Sequence, residues 1–224
     1  RQINKYIEII DSLIDQGELG TSPHLVDMGS GKGYLTFALY DHLVNNRKIQ
    51  ASITGIELRP KLVDFCNELA QNIGFDRLKF LAMNIEEYQP QKIDMLIALH
   101  ACDIATDIAI AKGIKAKSCF IVVAPCCHKQ IRKQMQCQTA LQSVLRHGIM
   151  EERQAELVTD GIRSLLLEAN GYKTKVFEFI STEHTPKNVM ITATQGTGRE
   201  DALEQIDQIK KEFGIEYHYL EKLL

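Results

Sequence analysis

Three observations predict an α/β fold with a mostly parallel sheet, helices on both of its faces and one reversed strand at its end. Apolar runs alternate with segments of helical spacing along the 224 residues, the pattern of βαβ units in a sheet covered on both sides. The first run leads into Asp27-Met28-Gly29-Ser30-Gly31-Lys32-Gly33, where a strand turns sharply into a helix. The last two runs, 176–180 and 188–193, are joined by about seven residues. A parallel crossover needs a dozen or more, so these two strands must be antiparallel.

In chain order, Ile3, Ile7, Ile10 and Ile14 recur at helical spacing before the Gly20-Thr21-Ser22-Pro23 break, predicting an N-terminal helix within 1–20. Leu25 and Val26 begin the first strand. The glycines after it allow a ligand to approach the backbone more closely than a Cβ would permit, and the helix over 34–40 offers unpaired N–H groups at its start. The second strand, 52–57, ends in Glu57, and Arg59-Pro60 opens a helix with Leu62, Phe65, Cys66 and Leu69 on its apolar face. The third strand, 78–83, runs into Asn84. The runs 93–99 and 119–124 are continuous enough for central strands.

Some fifty residues separate the fifth and sixth strands, more than one covering helix needs. They divide into a helix from about 129 to 146, a break at His147-Gly148 and a second helix from 151 to 169. One of these covers the sheet, and the other is either a lid and substrate platform over 128–170 or an additional core helix. Leu203, Ile206, Ile209 and Phe213 predict a packed C-terminal helix within 199–224. The whole of 1–224 reads as a single domain.

With 45% apolar residues the chain can bury a full core. No apolar run approaches the roughly 18 residues of a membrane span. A net charge of -3 gives no global nucleic-acid footprint. Six cysteines without a C-x-x-C or a secreted framework predict reduced thiols and a cytoplasmic setting. The chain opens on Arg1 rather than Met, so an upstream region is expected.

A dinucleotide fingerprint places its third glycine one position later than this loop does. The G-x-G-x-G spacing, with Asp27 two positions before Gly29, resembles motif I of the class I S-adenosylmethionine-dependent methyltransferases, whose loop holds the methionine end of the cofactor. Elementary chemistry agrees, because backbone N–H groups suit a carboxylate and Asp27 can take an ammonium directly or through water. Glu57, 24 positions after Gly33, can accept both hydroxyls of a ribose at the end of the second strand; the alternative is a solvated acid at a helix start. By resemblance Asn84 meets the adenine amine, against the alternative of an Asn in a tight turn. The resemblance implies a Rossmann-like seven-stranded methyltransferase sheet, S-adenosylmethionine as cofactor, and contacts from Asp27, Gly29, Ser30, Gly31, Gly33, Glu57, Asn84 and Leu99. An NAD-linked oxidoreductase is the alternative, opposed by the glycine spacing and the terminal hairpin.

Two clusters follow the central strands and should face one another: Leu99-His100-Ala101-Cys102-Asp103 and Ala124-Pro125-Cys126-Cys127-His128-Lys129. With Thr106-Asp107 and the Glu183-His184-Thr185-Pro186-Lys187-Asn188 segment, they resemble the methyltransferase domain shared by the methyltransferase-like 25 and glutathione S-transferase C-terminal domain-containing proteins. That likeness runs from about Ile3 to Thr194. Catalytic candidates are His100, Cys126 and His128, since an imidazole titrates near neutrality and can take a proton from an acceptor. Cys102, Asp103, Cys127 and Lys129 are candidate substrate contacts.

Tetrahedral zinc accepts cysteine and histidine. The spacing nevertheless matches no standard finger, and adjacent cysteines rarely both reach one ion, so no metal is expected. Pro125-Cys126 resembles the nucleophile of cytosine-5 methyltransferases, but those carry Pro-Cys at the fourth strand, and packed thiols are the simpler outcome. The Pro-Pro-aromatic motif of amino-methylating enzymes is missing after the fourth strand. Lys112, Lys115, Lys117, Lys129, Arg132 and Lys133 would contact RNA phosphates if they shared a face, and otherwise form a solvated surface. Arg153, Asp160 and Arg163 are polar enough to touch a substrate. The expected function is therefore S-adenosylmethionine-dependent methyl transfer to an unidentified acceptor, RNA favoured; a non-catalytic RNA- or protein-binding module of the same fold is the alternative.

Overall fold

Continuous apolar runs belong in strands buried on both faces. The computed structural model describes residues 2–17, 19–89, 92–99, 101–137, 140–179 and 188–224. Its strands are β1 (His24–Met28), β2 (Ser52–Glu57), β3 (Leu78–Ala82), β4 (Met95–Ala98), β5 (Phe120–Val123), β6 (Tyr172–Glu178) and β7 (Val189–Gln195). They form one seven-stranded sheet in the order β3-β2-β1-β4-β5-β7-β6. The pairs from β3 to β5 are parallel, and β7 runs antiparallel to both β5 and β6, as the short connection requires. Strand order reverses between β1 and β4, which opens a crevice at their carboxyl ends.

The helices are α1 (Gln2–Gln16), α2 (Tyr34–Tyr40), which continues as a π-helix (Asp41–Asn46), α3 (Pro60–Asn72), α4 (Ile104–Lys115), α5 (Lys129–Arg132), α6 (Gln142–Leu145), α7 (Gly148–Ala169), α8 (Ala202–Phe213) and α9 (Tyr219–Leu223). Alternate strand residues feed two cores. Leu25, Ile53, Met95 and Val122 pack with Tyr6 and Ile10 of α1 on one face. Val26, Ile56, Leu96 and Ile121 pack with Ile162 and Leu166 of α7 on the other. No described helix is long and apolar enough to cross a membrane.

The helices α1, α3 and α8 lie within the expected segments, with buried faces that differ in part from the expected stripes. In α1 the buried residues are Tyr6, Ile9, Ile10, Leu13 and Ile14, which include the expected Ile10 and Ile14, while Ile3 is 40% exposed. In α3 it is Val63, Cys66 and Ala70, whereas Phe65 and Leu69 face solvent. Small side chains are needed there because α3 closes over the glycine loop, with the Cys66 thiol 3.6 Å from the Lys32 carbonyl oxygen. In α8, Ala202 and Ile206 are buried and Leu203 is exposed.

The expected helix over 129–146 is corrected to the two short helices α5 and α6. The cause is competition for hydrogen bonds: the Gln134 side chain accepts from the backbone N–H groups of Glu216 and Tyr217 and donates to the Tyr217 carbonyl. Gln130 also donates to the Tyr217 carbonyl, and the Gln136 N–H donates to the Phe213 carbonyl at 2.7 Å. This stitching pulls the chain out of helical register onto the turn after α8. The segment 199–224 likewise forms two helices rather than one, α8 ending at Gly214 with φ 63°.

Candidate functional site

Asp27 lies at the end of β1, and its buried carboxylate accepts from the Thr36 hydroxyl at 2.6 Å. Burial pushes its pKa up to about 6, with the Thr36 hydrogen bond opposing the rise. Beside it, Gly29, Gly31 and Gly33 all adopt the left-handed conformation, with φ of 81°, 57° and 73°. A Cβ at Gly33 would stand 3.1 Å from the Phe80 ring and 3.2 Å from that of Phe37, so both conformation and packing demand glycine. The loop and Asp27 floor a cavity of about 330 Å³ walled by Leu99, Tyr6 and Phe179. The Ser30 hydroxyl oxygen is buried there without a hydrogen-bond partner.

Tyr6, Thr36 and Phe179 were not among the residues expected at this site. Tyr6 comes from α1 and Phe179 from the residue after β6, both remote from the loop in sequence, whereas Thr36 stands on α2 three residues after Gly33. The α1 helix is held over the cavity by Arg47, which pairs with Asp11 at 2.9 Å and Asp15 at 3.0 Å, and by His42 on Asp11.

Glu57, at the end of β2, accepts from the Gly31 N–H at 3.0 Å and from the Arg59 N–H at 3.0 Å. The Arg59 guanidinium adds a contact at 2.8 Å, and chiefly this hydrogen bond holds the Glu57 carboxyl below its usual range. Glu57 therefore ties the glycine loop to β2. Asn84 follows β3 by two residues and is exposed; its side chain accepts from the Glu86 N–H at 3.1 Å, an Asx turn.

The parallel pairing of β4 and β5, with Ala98 opposite Val123, brings their following loops side by side. The sulfur atoms of Cys102, Cys126 and Cys127 lie within 4.8 Å of one another. Cys102 and Cys126 are 2.9 Å apart, and the adjacent pair Cys126 and Cys127 3.7 Å. The segment 124–128 is neither helix nor strand, so consecutive side chains can turn to one side, contrary to the usual behaviour of neighbours. Burial, then the Cys102 hydrogen bond, pushes the Cys126 thiol up to about 12. A thiol held protonated is a poor nucleophile until it loses that proton. His100 lies outside the described residues, as does 183–187.

His128 is buried, and its Nε2 lies 3.2 Å from both oxygens of Asp160. Its Nδ1 has no hydrogen-bond partner and stands 3.8 Å from Glu156. Both rest on α7, where Arg163 is the hub. Arg163 is corrected from a substrate contact to a fully buried clamp, its side chain 0% exposed. It donates to Asp107 at 2.7 Å, to Asp160 at 3.0 Å and to the Asp103 carbonyl at 2.9 Å. Asp103 itself has φ 53°, a costly conformation for a non-glycine residue, and the Arg163 contact restrains it. His128, Pro125, Arg153, Glu156 and Asn188 line a second cavity of about 830 Å³ between α7 and the sheet. Lys129 is exposed at the start of α5.

The lysines and arginine of the basic stretch do not share one face. The α4 helix starts at the carboxyl end of β4 and returns to the opposite edge, carrying Lys112 to the Glu86 and Tyr88 carbonyls. Lys115 and Lys117 follow it away from the crevice. Arg132 instead pairs with Glu151 and Glu152.

A family model described as a methyltransferase domain matches residues 1–134. Among curated proteins, the chain is 24% identical over 216 residues to the glutathione S-transferase C-terminal domain-containing protein of Homo sapiens, covering 85% of this chain and 32% of that protein. The Xenopus laevis protein of that name is 24% identical over 219 residues, 87% of this chain and 34% of its own length. The chain thus spans about a third of these relatives. Solved structures with the same fold include the CurJ carbon methyltransferase, with a TM-score of 0.53 and 14% identity over 87% of this chain and 54% of that one. A proposed S-adenosyl-L-methionine-dependent methyltransferase from Methanococcus maripaludis gives a TM-score of 0.53 at 12% identity, covering 88% and 87% of the two chains. With its family model matched over more than half its length, the chain belongs to the methyltransferase-domain family.

Proposed function

We propose that this chain binds S-adenosylmethionine in the cavity over Asp27 and transfers its methyl group to an acceptor entering beside His128. The observation that carries the reading is a desolvated carboxylate beside three left-handed glycines that line one cavity with it. Bound there, the cofactor supplies a methyl group on an already activated sulfonium. The protein's part is to orient and exclude water, which can account for roughly 7 to 11 kcal/mol. Asp27 receives an ammonium, the Ser30 hydroxyl, buried without a hydrogen-bond partner, suits a carboxylate, and Leu99 packs against the ligand. Glu57 has room for two ribose hydroxyls once the Arg59 guanidinium yields, since its other two hydrogen bonds come from the backbone. His128 is our candidate to take a proton from the acceptor, with its Nε2 held by Asp160 and its Nδ1 buried without a hydrogen-bond partner. RNA is the first acceptor pool to screen, followed by protein and small metabolites.

Calorimetric titration with S-adenosylhomocysteine and, separately, NAD tests the cofactor reading: heat with the first alone is expected, and heat with NAD alone would sink it. Radiolabelled methyl transfer into fractionated lysate separates an enzyme from a binding module. Two finer results follow. Arg59→Ala should tighten S-adenosylhomocysteine binding, by up to about fivefold, because it removes a competitor for Glu57; unchanged or weaker binding would deny Glu57 the ribose role.

The second concerns pH. Asp27 has a folded pKa raised to about 6, so its contribution to stability is full below the unfolded carboxyl range and lost as pH rises through about 6. An ammonium needs the ionised form. Affinity for S-adenosylhomocysteine should therefore fall about tenfold per pH unit below about 6. Asp27→Asn should erase that slope, weaken binding roughly 10- to 100-fold, and raise the melting temperature of the unliganded chain above pH 6. A pH-independent affinity in the parent protein would show that Asp27 does not meet the ammonium.

A further inference from the structure

We propose that Cys102, Cys126 and Cys127 together bind one zinc ion. Their sulfurs form the group of potential metal ligands found among the described residues, all within 4.8 Å of one another. Tetrahedral Zn–S bonds of about 2.3 Å separate neighbouring sulfurs by about 3.8 Å. Cys126 and Cys127 already stand at 3.7 Å. Cys102 is 2.9 Å from Cys126 and must move outward by roughly 0.9 Å to meet that spacing, which its exposed loop position permits. A disulfide would use two of these sulfurs and leave the third beside it, whereas an ion uses all three.

The site is built by the fold. Adjacent parallel strands deliver the two loops, the irregular 124–128 segment aims neighbouring thiols the same way, and buried Arg163 holds the strained Asp103 carbonyl next to Cys102. Soft thiolates select zinc over magnesium or calcium. Three protein ligands with a fourth position left for water or an acceptor atom is the arrangement of catalytic rather than structural zinc. Cys102 follows Leu99, which lines the cavity over Asp27, by three residues, and Cys126 and Cys127 stand in the chain between Pro125 and His128, which line the second cavity. The ion's place between cofactor and acceptor rests on the function proposed above; the zinc site itself does not.

The test is metal analysis of the whole chain, purified with reduced thiols, given excess zinc and gel-filtered. About one zinc per chain is expected. Cys102→Ser, Cys126→Ser and Cys127→Ser should each lose at least about tenfold in zinc occupancy, while Cys119→Ser keeps it. Replacement by cobalt(II) in the unmutated chain should give thiolate-to-cobalt charge-transfer bands and the visible bands of a tetrahedral ion, a readout that stands even if a serine variant fails to fold. Zinc far below one equivalent, copper in its place, full occupancy in the three variants, or a zinc-free chain with a Cys102–Cys126 disulfide would each overturn the assignment. Titration of the same samples with S-adenosylhomocysteine tells a failed zinc site from a failed cofactor reading, because Asp27 and its loop hold none of the three sulfurs.

Discussion

Arg163→Ala is expected to destabilise the chain by about 3 to 5 kcal/mol, measured as a shift in urea unfolding. The side chains involved are almost wholly dry: Arg163 is 0% and Asp107 1% exposed, so solvent screening offers little relief. Alanine leaves two carboxylates, Asp107 and Asp160, buried without their cation, and frees the Asp103 carbonyl. Burial already pushes the Asp107 carboxyl up against the pull of Arg163, and without Arg163 that rise should grow. Arg163→Lys should fall between, since an ammonium cannot reproduce the planar fork that meets three partners. A loss under about 1 kcal/mol for the alanine variant would mean that the triad is not the hinge on which α7, α4 and the Cys102 loop are joined.

His128→Ala is expected to slow methyl transfer by about 10²- to 10⁴-fold, the range for a positioned general base. Affinity for S-adenosylhomocysteine should stay within about twofold, because His128 lines the second cavity and not the one over Asp27. His128→Gln, which can still meet Asp160, should not rescue the rate. A parallel fall in affinity and turnover would instead mark His128 as a structural support of α7, and an acceptor that needs no deprotonation would leave turnover unchanged.

Residues adjacent in the chain were legible before any coordinates. The glycine loop announces itself because left-handed backbone demands glycine at fixed spacing, and the reversal of β7 follows from a connection too short for a crossover. The buried stripe of α3 was not legible, because apolar spacing defines a helix without saying which partner limits side-chain size. The break in 129–146 was hidden for a similar reason: Gln130 and Gln134 look like good helix formers until the turn at 216–219 supplies backbone groups for them to bind.

By itself, then, the sequence determined the α/β sheet with its reversed strand, the glycine loop with Asp27, and the position of Glu57 at a strand end. These depend on local backbone geometry and on chain length between strands. Only the tertiary structure decided what surrounds them. It set Tyr6 and Phe179 as walls, gave Glu57 a guanidinium partner, and turned Arg163 from a surface group into a buried clamp. It also drew Cys102, Cys126 and Cys127 into one cluster, because parallel pairing of β4 and β5 joins loops that are 24 residues apart in sequence.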